Sequence, residues 1–342
     1  MHPELFKIPF INLTLPSYGL MLVIGFLAAV FIIKRLSTQL SPDPQLITNA
    51  ALYSLIAGVV GARLFYVLHY FENFHDEPLS VFAIWKGGLE LLGGVLLAIL
   101  VIIFYLRRHK LPIRRYLDIL AIGLMLALAF GRIGCFLNGC CFGKPTNLPW
   151  GVRFPYRSFA YISQVNPDPE RNRHFPYLIL PADFFGYRGQ DGLWYSNLKP
   201  YELLTVEQKQ MVDKDPYRCL PVHPTQLYES ASAALYCLVL YIFRRRAQLA
   251  SAKRSEDVRM EKLKIAEKFL AKQGQIFALM FVLYSITRFF LEFLRDDNPF
   301  EFDSLTISQN ICIALFILGI SLLVIFQKMK ADAFVAPRLQ KP

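Results

Sequence analysis

Apolar residues in this chain gather into seven long runs, at 18–33, 47–67, 87–106, 116–133, 227–243, 276–294 and 307–326. The runs are close to the roughly 17–25 residues that a helix needs to cross a bilayer. Backbone groups in hydrocarbon must be satisfied within their own segment, so the pattern predicts about seven transmembrane helices. The first run follows a single Lys and is long enough to span, so it reads as a helix rather than a cleaved leader. An odd number of crossings places the termini on opposite sides.

Two polar stretches interrupt the pattern. Residues 144–222 are rich in Pro, Tyr, Arg and Asp, too long for a simple loop, and pairs such as Phe154-Pro155 and Phe175-Pro176 favour short strands and turns. Residues 244–273 combine helix formers with opposite charges at helical spacing, as at Glu261 and Lys264, with Glu267 and Lys268 nearby. The expected class is an all-α polytopic membrane protein with a small, partly β cap. Its divisions are 1–143 (four spans), 144–222 (cap), 223–243 (fifth span), 244–273 (basic segment) and 274–342 (two spans and a tail). No internal repeat is visible, which weighs against a transporter built from inverted halves.

Composition supports the membrane reading: 54% of the 342 residues are hydrophobic and mean hydropathy is +0.36, more apolar than a soluble chain of this length needs. The net charge of +11 is spread by topology. Basic residues follow the first, third, fifth and seventh spans, whereas the loop after the second carries Glu72, Asp76 and Glu77. By the positive-inside rule the N-terminus is outside, the C-terminus inside and the cap on the outer face. The charge is therefore a topology signal and not a nucleic-acid patch. Four of six cysteines, Cys135, Cys140, Cys141 and Cys219, fall at that face, where a disulfide to Cys219 is an open option. The Cys-x4-Cys-Cys spacing lacks the two spaced pairs of a zinc site and has no His nearby, so it reads as small residues at a helix end, with no metal or soluble cofactor implied. Adjacent Cys140 and Cys141 also lack the Cys-x-x-Cys arrangement of a thiol oxidoreductase.

Charged residues inside spans persist where they pair or face a cavity, and those that stand out here are Arg63, Glu90, Arg132, Glu229, Arg288 and Glu292. Arg132 opens the glycine-rich run Gly131-Arg-Ile-Gly-Cys-Phe-Leu-Asn-Gly-Cys-Cys-Phe-Gly143. Glu229 closes His223-Pro-Thr-Gln-Leu-Tyr-Glu229, and Arg288 and Glu292 share one helix face at i and i+4. Taken singly, Arg288–Glu292 reads as a structural ion pair, Glu229 as a packing carboxylate and His223 as a cap before Pro224. Together with Arg132 they describe an anion site opening outward, because several buried charges converging without a ligand would be costly.

These motifs, with Ser17-Tyr-Gly-Leu20, Gly61-Ala-Arg63, Trp85–Gly94, Pro149–Pro155 and Arg295, resemble the prolipoprotein diacylglyceryl transferase family across nearly all spans. The resemblance implies a membrane enzyme of the bacterial cytoplasmic (inner) membrane. It would move the diacylglyceryl group of phosphatidylglycerol to the lipobox cysteine thiol of a prolipoprotein signal peptide and release glycerol phosphate. It implies that Arg132 and Arg288 hold the phosphate, Glu292 orients Arg288, Tyr18 meets the headgroup, and Asn138 and Gly143 shape the pocket floor. Arg63 and Glu229 are expected around them. Two departures stand out: the family often has Asn and Glu where this chain has Cys135 and Cys140, and His or Tyr at the Leu92 position. Leu92 transfers no proton, which leaves Glu90 or His223 as candidates to assist thiol deprotonation. The competing reading is an anionic-phospholipid-binding or transport protein without chemistry.

Overall fold

The computed structural model describes residues 4–8, 13–38, 45–74, 78–83, 88, 90–189, 191–256, 272–302 and 305–329. Among the described residues seven long helices carry the chain: α1 (Ser17–Ser37), α2 (Gln45–His69), α3 (Leu91–Arg108), α4 (Ile113–Asn138), α7 (Thr225–Glu256), α8 (Gln275–Glu292) and α9 (Ile307–Lys328). Short α5 (Phe159–Val165) and α6 (Val206–Asp213) lie between α4 and α7. Six of the long helices are long and apolar enough to cross a membrane over their described residues. The remaining one, α3, runs 18 residues, about 27 Å at ~1.5 Å per residue. Large apolar side chains stand exposed along them, Leu27 at 60%, Phe31 at 67% and Phe104 at 72%, a surface suited to lipid. This is a multi-pass membrane protein.

The helix ends differ from those expected. The fourth helix continues past Arg132 to Asn138, because Gly131 and Gly134 remain helical and the first residue to leave is Gly139, whose φ of +80° only a glycine takes at little cost. Its third counterpart starts at Leu91, which leaves Glu90 at the N-cap rather than within the span. Trp85, Lys86, Gly87, Leu89, Asp76, Glu77, Glu261, Lys264, Glu267 and Lys268 lie outside the described residues; α7 extends into the basic segment as far as Glu256.

The chain divides into two compact units. One comprises Leu27–Leu124, Leu240–Phe277 and Leu322–Pro342. In it α2 and α3 meet through small residues: a Cβ on Gly61 would lie 2.5 Å from the Gly93 carbonyl oxygen, so the backbones touch directly. Arg63 donates to the carbonyls of Val81, Gly88 and Ser80 at 2.8, 2.9 and 2.7 Å, stitching the connection between α2 and α3 to α2. In the same unit buried Asp118 accepts from the backbone N–H groups of Gly274 and Phe277, satisfying the start of α8.

The other unit comprises Met1–Phe26, Met125–Val239 and Ala278–Ser321 and includes the cap. Among the described residues the strands of the cap form one hairpin, β1 (Phe185–Arg188) with β2 (Trp194–Leu198), joined to α5 and α6 by irregular chain. Ser158 caps α5, accepting from the Tyr161 N–H, and Thr205 with Gln208 forms a capping box on α6. Phe142, Phe154, Tyr161, Phe184, Leu198 and Val222 belong to its apolar core. All six cysteines are free thiols, and Cys219 lies buried with its sulfur 3.5 Å from Gln164 Oε1.

Candidate active site

Four chain segments of the cap-bearing unit converge on a cluster of buried charges. Arg132 comes from the last two turns of α4, Glu229 from the second turn of α7, and Arg288 and Glu292 from the end of α8, with Arg295 just beyond. Glu229 Oε1 lies 2.9 Å from Arg132 Nη2 and 3.7 Å from Arg288 Nε, so one carboxylate sits between two guanidiniums. Arg288 Nη1 pairs with Glu292 Oε2 at 2.5 Å, as the i, i+4 spacing predicts, and Nη2 donates to Ser308 Oγ at 3.3 Å. Glu292, 1% exposed, also accepts from Asn298 and from Thr306 Oγ1. Its orientation is thus fixed from three sides, and it fixes Arg288 in turn.

Arg295 is held bidentately by Asp297 at 2.8 and 2.7 Å. Burial works against its charge, but the Asp297 carboxylate outweighs burial and raises its pKa. Arg171 of the cap donates to the Arg295 and Asn298 carbonyls, tying the cap to the segment after α8. Arg132 Nε finds no hydrogen-bond partner among the described residues. A buried, unpaired guanidinium donor suits an incoming anion.

The loop after α4 is locked to the start of α7. Gly143 donates to the His223 carbonyl at 3.0 Å, and a Cβ there would lie 2.6 Å from His223 Cβ and 2.8 Å from the Leu294 carbonyl, so only glycine lets three backbones cross. Thr225 and Gln226 donate to the carbonyls of Cys141 and Cys140. Cys141, with φ +59°, reverses the chain so that the sulfurs of Cys135, Cys140 and Cys141 all lie within 4.8 Å of one another. Arg132 Nη1 is 3.7 Å from Cys141 Sγ. Hydrogen bonds from the Cys135 and Cys140 thiols, then the Arg295 and Arg132 charges, draw the Cys141 thiol below its ordinary range.

Of the residues singled out from sequence, Arg132, Glu229, Arg288 and Glu292 come together in one charge cluster. The Tyr18 ring packs at Gly134, within a turn of Arg132. Asn138 ends α4 and lines a cavity of about 390 Å³ with Phe154, Tyr156 and Arg157. His223 lies at the Gly143 junction, its Nδ1 3.5 Å from the Tyr228 hydroxyl, and burial lowers its pKa, favouring the neutral ring. Arg63 and Glu90 belong to the other unit, where Arg63 is engaged by backbone carbonyls and Glu90 Oε1 lies 3.4 Å from His69 Nδ1. Sequence reasoning missed Ser308, Thr306, Asn298 and Arg171 as supports of the cluster, and the meeting of the three thiols. Spacing argued against the latter, since the reversal at Cys141 is invisible without backbone angles.

Comparison with known proteins gives this arrangement its context. A family model described as prolipoprotein diacylglyceryl transferase matches residues 3–325. A protein named phosphatidylglycerol–prolipoprotein diacylglyceryl transferase from Clostridium tetani is 26% identical over 320 residues, 94% of this chain and 96% of its own. A protein of the same name from Synechococcus elongatus is 26% identical over 90% of this chain and 82% of its own. Another, from Geobacter sulfurreducens, is 38% identical over 144 residues, 40% of this chain and 54% of its own. With the match running through the arginine cluster and nearly all the helices, the chain belongs to the prolipoprotein diacylglyceryl transferase family.

Proposed function

We propose that this chain transfers the diacylglyceryl group of phosphatidylglycerol to the lipobox cysteine thiol of prolipoproteins, forming a thioether and releasing glycerol phosphate, with Arg132 and Arg288 as the phosphate-binding pair. The observation that carries the assignment of residues is the placement of both guanidiniums around one buried carboxylate, Glu229. Displacement at the glyceryl carbon builds negative charge on the departing phosphate. Fixed guanidiniums in a water-poor site stabilise that charge without reorganising. Glu292 holds Arg288 at its angle, Arg295 adds a third cation, and Tyr18 faces the headgroup from α1. Asn138 and Gly143 shape the floor, the first at the end of α4 and the second by letting the backbones cross.

Glu90 pairs with exposed His69, and His223 faces the Tyr228 hydroxyl. The enzyme sits in the bacterial cytoplasmic membrane with the N-terminus outside, the C-terminus inside and the site toward the outer face; the alternation of basic loops supports this orientation.

The test incubates purified protein with phosphatidylglycerol and a lipobox peptide and follows the thioether-linked peptide by mass spectrometry. Wild type should turn over, and Arg132→Ala should lose about 100-fold or more in kcat. An Arg132→Ala enzyme within about threefold of wild type would overturn the phosphate assignment, and lipid binding without product in wild type would favour a lipid-binding protein.

A further inference from the structure

The transferase must alkylate a thiol that is mostly protonated at neutral pH, and the chain carries Leu92 at the position where the family resemblance implies a proton-accepting side chain. The three thiols beside Arg132 offer another means of activation. We propose that Cys135, Cys140 and Cys141 form a three-thiolate site for a thiophilic divalent cation, Zn²⁺ by its fit, with a fourth position open to the cysteine thiol of the acceptor peptide. The metal site stands on this chain's own geometry; only its fourth ligand rests on the transferase reading.

The donor set is three sulfurs within 4.8 Å of one another, one from the last turn of α4 and two from the loop that follows. Tetrahedral Zn²⁺ with Zn–S bonds of about 2.3 Å sets its sulfurs about 3.8 Å apart, so closure asks for a contraction of ~1 Å at most. Three protein ligands with a vacant fourth position is the pattern of a catalytic zinc, whereas structural sites are filled by four. The supports of such a site are also present. Gln226 and Thr225, both buried, fix the Cys140 and Cys141 carbonyls, and with them the loop. Charge is complementary, because a divalent ion with three thiolates is a net monoanion and Arg132 Nη1 lies 3.7 Å from Cys141 Sγ. Access comes from a cavity of about 370 Å³ lined by Cys140, Cys141, Phe142, Asp296 and cap residues such as Phe159.

The chemistry balances without redox change. The acceptor thiol binds the cation and releases its proton to water. Its sulfur then donates an electron pair to the glyceryl carbon, the S–C bond forms, the C–O bond to phosphate breaks, and that bonding pair leaves on the phosphate oxygen against Arg132 and Arg288. The metal holds the sulfur as thiolate, and the arginines receive the leaving group.

The test uses the full chain, reduced and chelated in detergent, then titrated with Co²⁺ alone. The expected result is one Co²⁺ per chain with an intense thiolate-to-cobalt charge-transfer band, displaced by Zn²⁺. Cys135→Ser, Cys140→Ser and Cys141→Ser should each weaken Co²⁺ binding by about 100-fold or more, while Cys237→Ser, elsewhere on α7, retains the band. Thermal unfolding of each metal-free variant controls for folding. As a second reading that needs no variant, bound Zn²⁺ should protect three thiols of wild type from alkylation. A lipobox peptide should alter the cobalt ligand-field bands, and its Cys→Ser analogue should not. A wild-type chain with reduced thiols and no charge-transfer band overturns the site, as does a disulfide between two of the three that persists in active enzyme. If chelated enzyme turns over at the wild-type rate, the catalytic role falls while the transferase reading stands. If metal binds but wild type makes no product, the converse holds.

Discussion

Replacing Glu229 by Gln tests the charge cluster most directly, because it keeps the shape and one acceptor oxygen while deleting the charge shared by Arg132 and Arg288. With separations of 2.9 and 3.7 Å and an effective permittivity near 20, the two attractions are roughly 6 and 4 kcal/mol before desolvation is counted. Burying the three ions offsets much of this, and removing one partner of such a buried pair typically costs ~3–5 kcal/mol. Glu229→Gln is therefore expected to lose about that much stability when no anion is bound, measured by denaturant or thermal unfolding in detergent.

The same substitution has an opposite effect on anion binding. In wild type an incoming phosphate meets guanidiniums already neutralised by Glu229; in the variant it meets two unsatisfied cations. Glycerol phosphate should therefore stabilise Glu229→Gln more than wild type, by about 1–2 kcal/mol at a concentration ~10-fold above its Kd, and should inhibit the variant more strongly as a product. Glu292→Gln provides the contrast, since Glu292 pairs with Arg288 but is held by Asn298 and Thr306. An apo Glu229→Gln protein within about 0.5 kcal/mol of wild type, with no added response to glycerol phosphate, would refute the claim that Glu229 occupies the space between two phosphate-binding arginines.

Other expectations follow from single contacts. Gly61→Ala places a methyl 2.5 Å from the Gly93 carbonyl and 2.7 Å from Leu97 Cβ, so α2 and α3 must part, at a cost of ~1–3 kcal/mol read as a lower unfolding midpoint. Arg63→Gln removes donors from the carbonyls of Ser80, Val81 and Gly88 and should destabilise by ~2–3 kcal/mol, with faster proteolysis of the α2–α3 connection. Burial raises the Cys219 thiol from 9.0 to about 11, so its contribution to stability is complete below pH 9 and is lost as pH rises toward 11. Across that window wild type should lose roughly 3 kcal/mol more than Cys219→Ala, and parallel pH profiles would refute the assignment.

The sequence made the helices and the central charge pair legible for physical reasons that stop short of the rest. Uninterrupted apolar runs have one low-cost solution in a bilayer, so the spans were readable to within a few residues, and i, i+4 spacing puts Arg288 and Glu292 on one face whatever surrounds them. The end of α4 was misjudged because Gly131 and Gly134 look like breakers. Gly134 instead makes room for Tyr18 and Met21, and the break comes at Gly139. Arg63 shows what spacing alone leaves out. A charge within a span reads as a site residue, yet its donors reach backbone carbonyls left unpaired where regular helix stops, a demand visible only once the connection is folded.

The cysteine cluster shows how local geometry adds chemistry that spacing conceals. A helix places Cys135 three residues before Asn138, left-handed Gly139 turns the chain, and left-handed Cys141 turns it again, while Thr225 and Gln226 clamp the result. A non-glycine residue held at positive φ carries a strain of ~1 kcal/mol or more, which persists where surrounding contacts enforce it. Here the enforced turn sets three sulfurs near Arg132, in the motif proposed above to supply the phosphate-binding cation. Thiol activation and leaving-group stabilisation would then share one loop, so the guanidinium that receives the phosphate also balances the charge of the sulfurs that prepare the nucleophile.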